Sequence, residues 1–189
     1  KMRALVYHGR NDIRLEQVPE PEIGPGEAKI RVTNTSICAT DIEEWKYGPT
    51  FITSVPTVLG HEVTGEVVEI GDDPSGLSIG DRVVVDNVLT CGTCYWCQSG
   101  SQATCPNMEV AGLGRDGGLQ EFMVWPADHL IKLPDTVKDD EAPLLEPAPV
   151  ALHAVRRSGV RPGDSVAVIG IGTVGALTLQ AFKAAGANV

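Results

Sequence analysis

Short hydrophobic runs separated by glycine and proline predict a strand-rich first part of the chain. The clearest runs, each rich in β-branched residues, are Lys29–Thr33, Val63–Ile70 and Arg82–Val85. Runs of this length and composition are typical of strands. Helices are expected beside them at Asp41–Tyr47 and Ala148–Ser158. The pattern therefore indicates a β-rich domain that occupies most of the chain.

The last part of the chain has a different pattern. Ser165–Ile169 alternates and is β-branched, and Ala176–Ala185 has helical spacing. Between them Gly170, Gly172 and Gly175 form G-x-G-x-x-G, which between a strand and a helix is typical of a dinucleotide-binding turn. The apolar run SVAVIGIGTVGALTLQAF is long enough to resemble a membrane span. The glycine spacing favours a buried strand followed by a buried helix instead.

The composition fits a soluble globular protein and narrows the partners. The chain has 189 residues, of which 42% are hydrophobic and 21% charged, and its formal net charge is −10. A nucleic-acid surface would need a basic stripe, so this charge argues against a nucleic-acid partner. The N-terminus, KMRALVYHGRNDIRLE, has no apolar segment of the kind that a secretory signal requires. We expect a cytoplasmic protein with no membrane partner.

Four of the five cysteines lie within fifteen residues and predict a metal site. Their spacing is C-x2-C-x2-C-x7-C, formed by Cys91, Cys94, Cys97 and Cys105. Four thiolates match tetrahedral zinc, and a closed shell without an open position makes such a zinc structural. Gly92, Gly100 and Pro106 supply the turns that a tight lobe requires. An iron–sulfur cluster and disulfides are the alternatives.

The fifth cysteine, Cys38, has candidate partners far along the chain. His61 and Glu62 follow in VLGHEVTGEVVEIG, and Glu146 lies in LLEPAPVALHAV. Cysteine, histidine and glutamate all bind zinc, and three protein ligands with an open position form the layout of a catalytic zinc. No short spacing joins these residues. From the residues alone, packing roles for the cysteine and the histidine therefore stay open.

Several motifs in order resemble the N-terminal part of the zinc-dependent medium-chain alcohol dehydrogenases, closest to the polyol, butanediol and threonine dehydrogenase branches. The matching segments are PEPEIGPGEAKIRV, CATD, VLGHEVTGEVVEIG, GDRVVV, the four-cysteine lobe, GGLQEFMVWPADHLIKLPD and EPAPVALHAVRRSGVRPGDSVAVIGIGTVG. The resemblance implies an α/β protein with a GroES-like β-barrel catalytic domain over residues 1–150. The start of a Rossmann NAD(P)-binding domain follows over residues 151–189. Because a doubly wound sheet needs several βα units, we expect the sequence to be truncated.

The resemblance assigns the catalytic zinc to the fifth cysteine and its distant partners. Cys38 and His61 match zinc ligands, and Glu62 and Glu146 match carboxylates that reach the zinc and trade places during turnover. The alternative for Glu62 is a place beside the ligands without binding the metal. Asp41 is expected to orient His61 by a hydrogen bond.

Further roles implied by the resemblance concern the proton path and the cofactor. Thr40 matches a hydroxyl that relays the alcohol proton. Three residues later, polyol and threonine dehydrogenases typically carry histidine, where this chain has Glu43. Glu43 either substitutes for that histidine or is a solvated helix charge. The expected cofactor-binding residues are Gly170, Gly172, Thr173, Val174 and Gly175.

The implied activity is hydride transfer between a secondary alcohol or polyol and NAD or NADP. It would use one catalytic and one structural Zn²⁺ and a small-molecule substrate, and we expect a homo-oligomer for the full-length protein. A non-catalytic zinc-binding fragment of such an enzyme is the alternative, since a truncated chain need not be active alone.

Overall fold

The computed structural model describes residues 1–72 and 76–189, which form two compact units, Lys1–Pro143 and Leu144–Val189. The strands of the first unit are β1 Met2–Gly9, β2 Asp12–Val18, β3 Glu27–Ser36, β4 Thr57–Val58, β5 Glu62–Ile70, β6 Arg82–Val85, β7 Val88–Leu89, β8 Glu109–Val110, β9 Phe122–Pro126 and β10 Leu130–Lys132. The helices are α1 Ala39–Tyr47 and α2 Tyr95–Gln98 in the first unit, and α3 Pro147–Ser158 and α4 Thr173–Ala184 in the second. Short 3₁₀ turns lie at Gln102–Thr104, Ala127–His129 and Ala142–Leu145.

The strands of the first unit form three antiparallel groups. A five-stranded sheet has the order β10-β6-β5-β3-β9, a three-stranded sheet the order β2-β1-β4, and β7 pairs with β8. Inward-facing residues of the larger sheet make the main core, which includes Ile30, Val67, Val83, Met123 and Trp125. The three strands predicted from the hydrophobic pattern lie within β3, β5 and β6 of this sheet, so that prediction is confirmed.

The second unit is built from two helices and the glycine turn between them. Helix α3 begins at Pro147, where the ring suits the first helical position, and ends before Gly159, whose φ of 70° is left-handed. Helix α4 packs against α3. The units divide after Pro143, seven residues before the predicted domain boundary, and the domain assignment stays a prediction.

The predicted strand at Ser165–Ile169 is wrong for this structure. The segment makes a single parallel bridge, between Ser165 and Asn188, and Ile169 is 98% exposed. A strand needs a ladder of backbone hydrogen bonds to a neighbour, and within the described residues this segment has only that bridge. Nor does any helix described here combine the length and the apolar character needed to cross a bilayer.

A buried lysine joins β3 to its surroundings in the first unit. Lys29 is only 8% exposed, and its Nζ lies 2.9 Å from Glu69 on β5 and 3.0 Å from Glu20. The hydrogen bond that Lys29 donates to the Glu69 carboxylate is the main cause that raises the pKa of Lys29 above its ordinary 10.5. The ammonium group on this interior strand therefore holds two carboxylates together.

We expect Lys29→Ala to lower the free energy of unfolding by about 1–3 kcal/mol at pH 7, because hydrogen bonds to charged groups are lost from a buried position. Lys138→Ala is the matched control, since Lys138 and its partner Glu141 have side chains that are 74% and 58% exposed. Exposed pairs contribute less than about 1 kcal/mol. Urea unfolding at pH 7 compares the two variants, and equal losses would contradict this account.

The pH dependence of the Lys29 contribution has a definite sign. Because the folded-state pKa is raised, the contribution is complete below about 10.5 and is lost as the pH rises through the raised pKa. From neutral pH upward, the difference between the wild type and Lys29→Ala should therefore stay constant until the solution becomes strongly alkaline, and then shrink.

Candidate functional site

The four-cysteine lobe has the dimensions of a site for one tetrahedral metal ion. Its Sγ–Sγ distances are 3.5 Å for Cys94–Cys97, 3.6 Å for Cys91–Cys105, 3.9 Å for Cys94–Cys105 and 4.0 Å for Cys91–Cys97. Four sulfurs at about 2.3 Å from a central zinc lie about 3.8 Å apart along each edge of the tetrahedron. A disulfide needs about 2.05 Å, and the cysteines are free. A multi-iron cluster spreads its thiolates over separate irons, so these distances favour a single ion.

Backbone N–H groups donate hydrogen bonds to the sulfurs of Cys91 and Cys94 in the lobe. Helix α2 begins directly after Cys94, whose Sγ accepts a hydrogen bond from the backbone N–H of Cys97 at 3.4 Å. The N–H groups of Thr93 and then Cys94 lower the pKa of the Cys91 thiol to about 5. Burial raises the pKa of Cys97 to about 11. The pairing of β7 with β8 joins the chain on either side of the lobe.

A second cluster forms where β3 ends and β5 begins. The ligand atoms of Cys38, His61 and Glu62 all lie within 4.8 Å of one another. The register explains this meeting, because Ser36 at the end of β3 pairs with Glu62 at the start of β5. Cys38 follows Ser36 by two residues and His61 directly precedes Glu62. The structure thus brings together three of the four residues predicted around the catalytic metal.

Asp41 and His61 face each other beside this cluster. Oδ1 of Asp41 lies 3.8 Å from Nδ1 of His61, and both atoms are buried without a hydrogen-bond partner among the described residues. Leaving such atoms unpaired costs about 1–3 kcal/mol each, so a small turn of the imidazole toward Asp41 is favourable. That pairing would leave Nε2 for a metal. The other oxygen of Asp41 accepts the backbone N–H of Cys38 at 2.9 Å.

The backbone directly before His61 is tightly packed at Gly60. Gly60 has a φ of +96°, and a Cβ there would lie 2.9 Å from side-chain carbons of Leu119 and Thr35. The carbonyl of Gly60 accepts the N–H of Gly118 at 2.8 Å. Only glycine at position 60 suits this conformation, so the backbone that leads into His61 is held at a fixed place.

Asn87 is a supporting residue that the sequence did not indicate. Its Nδ2 donates to the backbone carbonyl of His61 at 3.2 Å, and the side chain is buried. An isolated asparagine after a strand carries no signal for this role.

The remaining predicted residues occupy different places. Oγ1 of Thr40 lies 3.7 Å from Sγ of Cys38, next to the cluster. Glu43 is exposed on α1, which fits a solvated helix charge. Glu146 directly precedes α3 in the second unit, at the N-cap position but without a side-chain capping hydrogen bond, and its approach to a metal stays a prediction.

The glycine turn of the second unit closes tightly onto α4. Gly170 has a φ of +93°, and a Cβ at Gly175 would overlap the carbonyl oxygen of Gly170. The helix begins at Thr173, directly after Gly172, whose carbonyl accepts the N–H of Ala176 at 2.8 Å. Glycine is therefore needed at position 175 for the turn and the helix to approach each other. The backbone N–H groups at this helix start are the expected place for cofactor phosphates.

Comparisons with known proteins find relatives along nearly the whole chain. The family model of the alcohol dehydrogenase GroES-like domain matches residues 24–135. The (R,R)-butanediol dehydrogenase of Bacillus subtilis is 38% identical, with 99% of this chain and 56% of the relative covered. Human sorbitol dehydrogenase is 39% identical, with 97% of this chain and 52% of the relative covered. The chain spans about half the length of the curated relatives it matches.

Solved structures share the fold. A cobalt- and zinc-bound thermostable alcohol dehydrogenase from Pyrobaculum aerophilum superposes with a TM-score of 0.88 at 32% identity. The match covers 98% of this chain and 57% of that one. The predicted fold class, a GroES-like α/β protein, is confirmed.

Proposed function

Because the chain belongs to the alcohol dehydrogenase family with a GroES-like domain, we propose that it carries the metal-binding part of a zinc-dependent oxidoreductase. The proposed reaction is hydride transfer between a secondary alcohol or polyol and NAD(P). The observation that carries the proposal is the convergence of Cys38, His61 and Glu62 within 4.8 Å. The names of the relatives, butanediol dehydrogenase and sorbitol dehydrogenase, support the substrate class.

The donor set of this cluster suits a catalytic zinc. Cys38 would bind through Sγ, His61 through Nε2 and Glu62 through a carboxylate oxygen, with Glu146 as the exchanging carboxylate. One thiolate and one carboxylate neutralise the charge of Zn²⁺, and three protein ligands keep a position open. When bound, the zinc supplies a Lewis acid that lowers the pKa of the substrate hydroxyl.

The neighbouring residues then hold and move protons. Asp41 accepts the Nδ1–H of His61, which keeps the proton on that nitrogen and fixes the ring. Thr40, whose Oγ1 lies 3.7 Å from Sγ of Cys38, would accept the proton of the alcohol hydroxyl as it releases its own hydroxyl proton to solvent, away from the metal. Because Glu43 is exposed on the same helix, we assign it no step in this path.

The other cysteines and the glycine turn take supporting roles. Cys91, Cys94, Cys97 and Cys105 bind a structural zinc that holds the lobe. A bound nicotinamide cofactor would supply the hydride acceptor, and its phosphates would meet the start of α4 at Gly170, Gly172, Thr173, Val174 and Gly175. We place the catalytic domain at residues 1–150 and the start of the nucleotide-binding domain at residues 151–189.

An alcohol and cofactor panel tests this function. The protein at its natural length, loaded with zinc, is incubated with NAD⁺ or NADP⁺ and with 2,3-butanediol, sorbitol, xylitol or a simple secondary alcohol. We expect reduced nicotinamide to form with at least one of them, to stop after metal removal and to return when zinc is restored. Two bound zincs without reduced cofactor for any alcohol would instead support a non-catalytic zinc-binding module.

A further inference from the structure

Helix α1 turns two acidic side chains into the protein, and the proposed reaction uses only one of them. Asp41 faces His61, whereas Glu44, one turn further on, is 0% exposed. Burying a carboxylate costs much free energy unless hydrogen bonds compensate for its lost hydration. A fully buried glutamate three residues from Asp41 therefore calls for a structural or functional explanation.

Both oxygens of the Glu44 carboxylate are used to hold the segment after the helix. Oε2 accepts the backbone N–H of Thr50 at 2.8 Å, and Oε1 accepts that of Phe51 at 2.7 Å. The Glu44 carbonyl accepts the N–H of Gly48 at 3.0 Å and the hydroxyl of Tyr7 at 3.0 Å. A Cβ at Gly48 would lie 2.5 Å from Oε2. The chain thus turns closely around this one side chain.

The segment held by Glu44 leads to the second ligand. Ile52, next to Phe51, is buried in a cluster with Tyr7 and Leu59. Leu59 lies two residues before His61. At its other end, helix α1 begins directly after Cys38. Glu44 therefore connects the helix that presents the cysteine ligand with the segment that presents the histidine ligand.

We propose that Glu44 is a positioning residue of the catalytic metal site, an inference that rests on the proposed function. Its two hydrogen bonds fix the separation between the Cys38 and His61 segments. Glutamine cannot replace it, because an amide has one oxygen acceptor and its NH₂ group would face the second backbone N–H. Outer residues that orient metal ligands typically change metal affinity by 10- to 100-fold when they are mutated.

Glu44→Gln is therefore expected to weaken the catalytic metal site by about 10- to 100-fold while the four-cysteine site binds as before. Glu43→Gln is the matched control, because it makes the same charge change on the exposed face of the same helix. Metal-stripped protein is titrated with Co²⁺, whose thiolate charge-transfer bands differ in intensity between a site with four thiolates and a site with one. Circular dichroism checks that each variant is folded.

The outcomes separate this inference from the proposed function. Weakening of only the one-thiolate site in Glu44→Gln, with Glu43→Gln like the wild type, supports the inference. Wild-type affinity in Glu44→Gln overturns it, even if the variant melts at a lower temperature. If the wild type itself binds cobalt only at the four-cysteine site, the proposed function fails. Should Glu44→Gln not fold, Glu44→Asp, which keeps both acceptors on a shorter side chain, must show weakened binding, and unchanged binding overturns the inference.

Discussion

Replacing Cys38 with serine is expected to remove one zinc per chain and to lower alcohol oxidation about a thousandfold. Serine offers a neutral hydroxyl that ionises poorly in place of a thiolate, so the cluster with His61 and Glu62 loses its strongest ligand. Losing a Lewis acid costs several kcal/mol of transition-state stabilisation, and a thousandfold corresponds to about 4 kcal/mol. Zinc per chain and the oxidation rate are measured on the protein at its natural length.

The lobe supplies the internal control for this prediction. Cys38 lies at the start of α1, away in sequence from the lobe at residues 91–105, so Cys38→Ser should keep the lobe zinc and the fold. If the Cys38→Ser protein retains two zincs and normal turnover, Cys38 is a packing thiol and the proposed mechanism is wrong.

Replacing Cys94 with serine should affect the lobe and leave the cluster of Cys38 intact, which is the reverse of the result expected for Cys38→Ser. Cys94 has two neighbouring sulfurs within 3.9 Å and also caps α2, so its loss opens the tetrahedral site. We expect the lobe zinc to be released and the free energy of unfolding to fall by more than about 3 kcal/mol, because structural metal sites contribute folding energy directly. Metal analysis and thermal unfolding measure the two effects.

A second variant in the same lobe distinguishes metal loss from local damage. Ser99→Ala removes only a hydroxyl that donates to the Trp96 carbonyl at 3.1 Å on an exposed part of the lobe. It should keep both zincs and change stability by less than about 0.5 kcal/mol. An unchanged zinc content in Cys94→Ser would show that the four-thiolate assignment is incorrect.

The four-cysteine lobe is the part of the candidate site that the sequence predicts best. Its four cysteines lie within fifteen residues, so short-range turns alone bring the sulfurs together. The Sγ–Sγ distances of 3.5–4.0 Å in the structure then favour one ion over a multi-iron cluster, a distinction that the spacing in the sequence leaves open.

The cluster of Cys38, His61 and Glu62 depends on the pairing of β3 with β5, which no short sequence pattern encodes. Cys38 meets His61 and Glu62 because Ser36 pairs with Glu62 across β3 and β5. The residues alone leave packing roles for Cys38 and His61 open. Their assignment to one metal site comes from the family resemblance.

Asn87 was missed because its role comes from a hydrogen bond to the distant backbone carbonyl of His61. Glu44 was missed because its hydrogen bonds to the backbone N–H groups of Thr50 and Phe51 follow no sequence pattern.

The strand predicted before the glycine turn shows the limit of local patterning. Ser165–Ile169 has β-branched alternation, yet strand formation depends on a neighbouring strand, and among the described residues this segment forms a bridge only with Asn188. The helix that follows needs no such neighbour, because its hydrogen bonds are internal. Accordingly α4 forms at Thr173–Ala184, close to the predicted Ala176–Ala185.

X-ray absorption at the zinc edge, combined with elemental analysis, tests the central claim of two zinc sites most directly. The account predicts two zincs per chain that share five Zn–S bonds at about 2.3 Å, one from each cysteine of the chain, with nitrogen and oxygen ligands completing the second site. One zinc per chain with only sulfur ligands, or iron in place of zinc, would contradict it.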